Sequence, residues 1–280
     1  MDVLVRYGEI FLKGNNRYYF ENMLLGNIQR QIPAAIITKH HTRLVVTLPD
    51  EQLHRLGTIF GIVSYSPTHR CSCDYTVVTT YLQTLQQQLP KQARFRVSCA
   101  RLQKRWESSM EIERNIGAFI VDTFGWTVDL ETYDYNIGVE IIDACYVYTT
   151  TYVGSGGLPV GVSGNVAIAV TTERDIVAAL LMMKRGCRVF ALRQTPLLEK
   201  LAVYSPFPQE IILQTNISFE RHAIRALLHS GTIIDVTHLL KNRELKKELP
   251  VLMPLVGFSE DSFHSLYERY TLSTARNITA

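Results

Sequence analysis

The densest concentration of residues that could contact phosphate lies between Lys91 and Arg105. Six basic residues occur in this stretch, and no acidic residue interrupts them. Cations at this density can follow a nucleic-acid backbone, because each Lys or Arg that reaches a phosphate releases a condensed counterion. A solvated protein face gives the same pattern, so charge alone leaves both interpretations open. The candidate contact residues are Arg94, Arg96, Arg101, Lys104 and Arg105.

A second basic pair, Lys13 and Arg17, stands next to the aromatic run Tyr18–Phe20. Unpaired nucleic-acid bases can stack on aromatic rings beside such cations. Helical spacing near a strand favours a core position for Tyr19 and Phe20. The prediction of nucleic-acid contact in this segment therefore rests on Lys13 and Arg17.

Metal sites and activated nucleophiles leave no recognisable pattern. Cys71 and Cys73 form a C-x-C pair, but no second pair follows at zinc spacing. Five scattered cysteines do not form a disulfide framework. Cys99, Cys145 and Cys187 fall in predicted strands or at a strand start, where a small buried hydrophobic side chain is usual. We expect no metal and no catalytic residue.

Phosphate-binding loops of the familiar kinds are also missing, since the chain contains neither GxxxxGK[ST] nor GxGxxG. The stretch Thr172-Glu-Arg-Asp175 follows a predicted strand, precedes an apolar helix and fits a T-x-x-D capping box. Acidic side chains at a helix N-terminus complement the helix dipole and repel a phosphate. A structural role therefore explains these residues.

The elements that must position these residues fall into three groups. Residues 1–70 predict the order β-α-β-β-α-β of a ferredoxin-like unit, with its long helix over 17–31 and a strand near 61–65 closed by Pro67. The second group predicts helices over 75–89 and 108–124, with strands over 94–100, 136–142 and 145–153. The glycine-rich segment 151–161 reads as loop or linker.

From residue 165 strands alternate with helices, which predicts a parallel, doubly wound α/β sheet and an overall α/β and α+β class. The predicted strands cover 165–171, 187–193, 210–215 and 231–236, and the predicted helices cover 174–185, 218–229 and 259–275.

Composition narrows the class of protein. Of 280 residues, 46% are hydrophobic and 20% are charged, which is typical of a globular chain and excludes disorder. The absence of a long apolar run and of a signal peptide predicts a soluble, cytoplasmic protein with no membrane partner. The net charge of +3 conceals a gradient: residues 1–115 hold 15 basic and 9 acidic residues, whereas residues 116–160 hold no basic and 6 acidic residues.

Several strings in one order carry a family resemblance. They are VRYGEIFLKGNNRYYFENMLLGNI (5–28), FGIVSYSP (60–67), FRVSCARLQKRW (95–106), SSMEIERNIGAFI (108–120), VDLETYD (128–134), GGLPVGVSG (156–164), AALLMMKRG (178–186) and LMPLVGFSEDSF (252–263). Together they resemble the tRNA 4-thiouridine synthetase family, also called the thiamine-biosynthesis sulfurtransferase family.

The resemblance implies three domains: a ferredoxin-like domain over 1–70, a THUMP domain over 71–157 and a PP-loop domain of the adenine-nucleotide α-hydrolase type over 158–280. In the family the first two domains hold tRNA, and the THUMP domain receives its 3′ acceptor end. The third domain adenylates uridine 8 with ATP and magnesium, and a persulfide cysteine delivers sulfur. Family members are often dimeric, so a homodimer is a further expectation.

The chain departs from the family at its nucleotide loop. The family loop reads S-G-G-x-D-S, and the six corresponding positions here are Val170, Thr171, Thr172, Glu173, Arg174 and Asp175. Side chains replace both glycines where backbone amides must approach pyrophosphate. A cysteine in the family's sulfur-carrying context is also missing. These departures predict a degenerate PP-loop without ATP, magnesium or any other cofactor.

Three functions remain open from the sequence. The chain is predicted to bind tRNA beside an inactive nucleotide domain, and to act with a separate modifying enzyme. Alternatively it is an active or partner-dependent tRNA sulfurtransferase, which would make 4-thiouridine or serve thiamine-related sulfur transfer. A purely structural, dimerising role is the third reading.

Overall fold

The computed structural model describes residues 1–104, 106–212, 222–231 and 250–271. Its first unit is an antiparallel sheet in the order β2-β3-β1-β4, covered by helices. This is the predicted ferredoxin-like arrangement. Its elements are β1 (Asp2–Tyr7), a 3₁₀ segment (Glu9–Asn16), α1 (Arg17–Gln31), β2 (Ile36–Lys39), β3 (Leu44–Thr47), a second 3₁₀ helix (Asp50–Thr58) and β4 (Ile62–Cys71).

The second unit extends the same sheet. Its strands continue beyond β4 in the order β8-β7-β5-β6, and the short β9 returns to pair with β4. The elements are α2 (Tyr75–Gln86), β5 (Arg94–Arg101), α3 (Ser109–Phe124), β6 (Thr127–Val128), β7 (Tyr135–Ile141), β8 (Cys145–Tyr148) and β9 (Tyr152–Val153). Ser108 and Glu111 form a capping box that begins α3.

Strand β4 joins the two units, because it runs past Pro67 to Cys71 instead of ending at 65 as predicted. Its residues 64–65 pair with β9 and its residues 69–71 pair with β8. Pro67 falls between these two pairings and is the register partner of Val3 in β1. Residues 69–71 of β4 and 145–147 of β8 are hereafter the β4–β8 seam.

The third unit is a parallel sheet in the order β11-β10-β12-β13, as predicted. Its elements are β10 (Asn165–Ile168), α4 (Glu173–Lys184), β11 (Arg188–Ala191), α5 (Leu198–Ala202), α6 (Pro208–Ile212), β12 (Ile224–Leu228), β13 (Val251–Leu252) and α7 (Glu260–Thr271). Its core surrounds α4, whose residues from Ile176 to Leu180 are fully buried.

Two sequence predictions in this unit were wrong. The segment 210–215 was predicted as a strand, but its described residues, 210–212, belong to the short helix α6. Residues 218–229 were predicted as a helix, but β12 occupies their described part. Pairing on both sides, with β10 and β13, outweighs the helical preference of Arg225, Ala226 and the two leucines. The predicted strand 231–236 lies almost wholly outside the described residues.

The first unit also packs against the third. Phe60 is 1% exposed and lies in the core of the third unit, with ring contacts to Tyr204 and Tyr270. The linker approaches α4 closely at Gly157, where a Cβ atom would lie 2.2 Å from the Lys184 carbonyl oxygen. Gly157 also has a φ of +71°, so glycine is needed there for both reasons.

Candidate nucleic-acid interface

Strand β5 divides the basic cluster between two faces of the sheet. Successive side chains alternate along a strand, so Arg94 and Arg96 share one face and Arg101 belongs to the other. Phe95 and Cys99, on the Arg101 face, belong to the hydrophobic core that includes residues of α2 and α3. The three arginines of β5 therefore do not lie on one face of the sheet.

Arg94 is already paired with carboxylates. Its guanidinium lies 3.2 Å from an Asp134 oxygen and 3.9 Å from an Asp129 oxygen. Backbone hydrogen bonds, from Thr132 to Asp129 and from Arg94 to Asp134, lower the pKa of both carboxyl groups. Both acids stay ionised and offset the charge of Arg94, although its side chain is 51% exposed.

Arg96 has a different environment. Its guanidinium carbon lies 4.1 Å from the centre of the Tyr133 ring, and its Nε donates to Asn136 Oδ1 at 3.3 Å. Within the described part of the chain it has no carboxylate within ion-pair distance. Arg96 thus offers an unneutralised cation stacked on an aromatic ring.

Arg101 and Lys104 lie before the start of α3. Arg101 donates a hydrogen bond to the Glu107 carbonyl, which orders this loop. Lys104 is exposed and forms no ion pair with any residue that the structure describes. Arg105, predicted to belong with them, lies outside the described residues.

The first unit presents aromatic side chains beside Lys13. The Lys13 ammonium lies 5.0 Å from the centre of the Phe20 ring. Tyr18 and Tyr19 are 69% and 51% exposed. The prediction that Tyr19 is a core residue was wrong.

The reason is the phase of helix α1. Phe20, Leu24 and Ile28 follow one another at four-residue spacing and face the core together. One position earlier, Tyr19 is turned about 100° away. Phe20 itself is half-buried against that core, as its spacing predicted.

Arg17 is held by partners within the first unit. Its Nε donates to Glu21 at 2.7 Å, and its Nη2 donates to Tyr7 Oη and to the His41 carbonyl. Its guanidinium carbon lies 4.8 Å from the centre of the Phe11 ring. Burial raises the pKa of Tyr7 to about 12, which keeps this hydroxyl a donor to Glu21. Burial of Glu21 opposes ionisation, but hydrogen bonds from Lys39, Tyr7 and Arg17 lower its pKa overall.

A buried ionic network joins the first two units, and nothing in the sequence identified it. Glu140 of β7 is 2% exposed and accepts bonds of 2.9 and 2.7 Å from Arg6 and 2.7 Å from Arg43. Tyr148 Oη also donates to it, at 3.3 Å. The one available signal is an acidic residue within the mostly apolar strand YNIGVEI.

In the third unit, the loop between β10 and α4 is held by hydrogen bonds to the side chain of Asp175 in α4. The Asp175 carboxylate oxygen Oδ2 accepts the backbone amides of Thr171 and Thr172, both at 2.8 Å, and both threonine hydroxyls at 3.0 Å. Burial opposes ionisation of Asp175, but hydrogen bonds from Ser230 and from these amides lower its pKa overall. The predicted capping box is confirmed. Val170, at the start of the loop, is fully buried.

The neighbouring charged residues of α4 face α5 and α7. Arg174 donates to Glu260 at 2.6 Å and lies 4.9 Å from the Phe263 ring. Glu173 accepts from Tyr267 and lies 3.7 Å from the Lys200 ammonium. Both side chains therefore stabilise helix packing.

The described residues contain no group of three or more His, Cys, Asp or Glu side chains placed to hold a metal ion. None of their helices combines the length and the apolar character that a membrane span needs.

Comparison with known proteins identifies the first two units. Residues 2–66 match the ThiI ferredoxin-like domain and residues 80–150 match the THUMP domain. Over 210 residues the chain is 35% identical to a probable tRNA sulfurtransferase of Methanocaldococcus jannaschii, and over 200 residues it is 37% identical to that of Moorella thermoacetica. The first two units are thus a ThiI ferredoxin-like domain and a THUMP domain, and the chain is a homologue of these tRNA sulfurtransferases.

The alignments cover a larger share of this chain than of its relatives. These alignments cover 69% and 68% of this chain, but 55% and 51% of the relatives. The chain thus spans about half the length of the curated tRNA sulfurtransferases that it matches.

Solved structures match the fold over nearly the whole chain. The crystal structure of PH1313 from Pyrococcus horikoshii Ot3 is 29% identical, has a TM-score of 0.81 and covers 96% of this chain and 98% of its own. A 4-thiouridine synthetase in complex with RNA and ATP is 21% identical, with a TM-score of 0.77 over 98% of this chain and 87% of its own. The second match shows the shared fold.

Proposed function

We propose that this chain binds tRNA with its first two units and that its third unit does not bind ATP. The THUMP domain and the similarity to tRNA sulfurtransferases support the proposal that the chain binds tRNA. The observation behind the proposal that ATP does not bind is that the Thr171 and Thr172 amides already donate to the Asp175 carboxylate.

The family's ATP does not fit this loop. A phosphate at a helix N-terminus is bound by backbone N–H groups, and two of the amides that would serve already donate to Asp175. The ionised carboxylate would also repel a phosphate at that position. Arg174, at the position of the family's aspartate, supplies no carboxylate for magnesium.

Three of the candidate cations have no carboxylate partner among the described residues, and these three support RNA contact. Lys13, Arg96 and Lys104 lie beside aromatic rings or in an open loop, where phosphates and unstacked bases can approach. Arg94 is offset by two carboxylates, and Arg101 is held by the Glu107 carbonyl, so both should contribute less to RNA binding. Arg17 is bound to partners within the first unit and contributes mainly to folding. The acceptor end of tRNA is the part that we expect the THUMP unit to hold.

The sulfur chemistry would then belong to another protein. We propose that the chain works in the cytoplasm, alone or as a homodimer, and presents tRNA to a separate sulfur-transfer or modifying enzyme. An active or partner-dependent sulfurtransferase is the competing function, and detectable ATP–pyrophosphate exchange would establish it.

An electrophoretic titration with tRNA at two salt concentrations tests the binding. With about four phosphate contacts, affinity should fall roughly a hundredfold between about 50 and 200 mM salt. Binding to unrelated tRNA sequences should be similar, because phosphate contacts position the RNA without reading bases. Undetectable binding, or binding indifferent to salt, would refute the proposal.

A further inference from the structure

Four of the five cysteines lie in one hydrophobic core. Cys71, Cys73, Cys99 and Cys145 all pack among the core residues of the second unit, whereas Cys187 is buried in the third. The sequence predicted small buried side chains at Cys99, Cys145 and Cys187, and the last two are indeed buried. It gave no sign that Cys71 and Cys145 would meet.

Cys71 and Cys145 face each other across the β4–β8 seam. They are direct partners in this antiparallel ladder, so their side chains project from the same face. Direct partners in antiparallel strands have Cα atoms roughly 4.5 or 5.5 Å apart, depending on the hydrogen-bonding position. Both spacings fall within the roughly 4.4–6.8 Å range that disulfides span.

The two thiols differ in access and acidity. Cys145 is fully buried, whereas Cys71 is half-buried. The Cys145 thiol hydrogen-bonds to the Cys71 sulfur, which lowers the pKa of Cys71, while this bond and burial raise that of Cys145. The more accessible sulfur is thus also the better thiolate.

We propose that Cys71 and Cys145 form a reversible redox site that a low-molecular-weight disulfide converts to an intramolecular disulfide. The Cys71 thiolate attacks one sulfur of the small disulfide, which breaks that S–S bond, forms a mixed disulfide and releases one small thiolate. The Cys145 sulfur then attacks Cys71, releases the second small thiolate and gives up its proton to it. Two protein thiols are oxidised, and one small disulfide is reduced to two thiols.

The bond would close the joint between the first two units. The β4–β8 seam contains three residue pairs, and Asp143, just before β8, contacts Arg70 and His40. A disulfide at the end of the seam would close a long loop of chain between the two cysteines. Because such a bond lowers the conformational entropy of the unfolded state, oxidation should raise the melting temperature by several degrees.

The test exposes the folded chain to glutathione disulfide, blocks remaining thiols with N-ethylmaleimide and maps the cross-linked peptides by mass spectrometry. We expect a Cys71–Cys145 cross-link, its removal by dithiothreitol, and the higher melting temperature in the oxidised form only. Cys187→Ser should retain the cross-link. Cys145→Ala should stop at a mixed disulfide on Cys71.

Three results would overturn the proposal. They are a wild-type chain that stops at the mixed disulfide, a cross-link that joins other cysteines, and thiols of Cys71 and Cys145 that are fully alkylated after exposure. Because these results come from the wild-type chain, they do not depend on whether a variant folds. They are also independent of tRNA binding.

Discussion

Glu140 of the second unit forms ion pairs with two arginines of the first unit. Its carboxylate is the shared partner of Arg6 and Arg43. Glu140→Gln would leave two half-buried guanidinium groups without their counter-ion. We expect the free energy of unfolding to fall by about 3–5 kcal/mol in urea denaturation. Glu131→Gln, on an exposed turn, is the matched control and should change it by less than about 0.5 kcal/mol.

The same carboxylate sets a pH dependence. Burial opposes ionisation of Glu140, but Arg6 and Arg43 lower its pKa overall. Because the pKa of Glu140 is lower in the folded state, its stabilisation is complete above the ordinary glutamate pKa of about 4.3. The stabilisation disappears as the pH falls through the folded-state pKa. Melting temperatures between about pH 7 and 3 should therefore fall less steeply in Glu140→Gln. Parallel profiles would contradict this role.

The basic residues of the second unit should not contribute equally to RNA binding. Lys104 is exposed without an ion pair to any described residue, whereas Arg94 is offset by Asp129 and Asp134. If Lys104 meets a phosphate, Lys104→Ala should reduce the slope of log affinity against log salt by about 1. Arg94→Ala serves as the matched control and should change the slope less. Equal effects in tRNA titrations would show that the ion pairs do not matter.

At the scale of elements, the N-terminus of α4 depends on Asp175. Asp175→Ala removes the acceptor of two amides and two hydroxyls. The free energy of unfolding should fall by about 1–2 kcal/mol, which chemical denaturation can measure. Asp175→Asn keeps an acceptor oxygen and should lose less. No loss in Asp175→Ala would contradict the description of a loop held by the Asp175 side chain.

Local sequence signals predicted some of these elements well. The helix over 17–31 agrees with α1, and the T-x-x-D pattern correctly predicted the cap of α4. Both depend on residues near in sequence. The strand β12 was missed because pairing with β10 and β13, both distant in sequence, determines it.

The candidate site was harder to predict than the fold. The basic cluster is visible in the sequence as a run of Lys and Arg. Its division between two faces of β5 follows from the alternation of side chains along a strand, which a count of charges does not show. The partners of Arg17 and Arg94 depend on tertiary contacts. Glu140 meets Arg6 across 134 positions of sequence, and no local pattern predicts such a pair.

At the scale of the whole molecule, the first unit links the other two. It shares β4 with the second unit, and it inserts Phe60 into the core of the third. Phe60→Ala should lower the free energy of unfolding by about 3–5 kcal/mol, because it leaves a cavity between Tyr204 and Tyr270. Leu12→Ala, at a side chain that is 85% exposed, is the control for denaturation measurements and should be nearly neutral.

We propose that the first two units bind tRNA and that the loop before α4 accepts no nucleotide. Calorimetric titration of magnesium ATP into the chain, after saturation with tRNA, tests it most directly, with an active 4-thiouridine synthetase as positive control. We predict a salt-dependent binding isotherm for tRNA and only heats of dilution for ATP. A binding isotherm for ATP, or the lack of one for tRNA, would contradict this proposal.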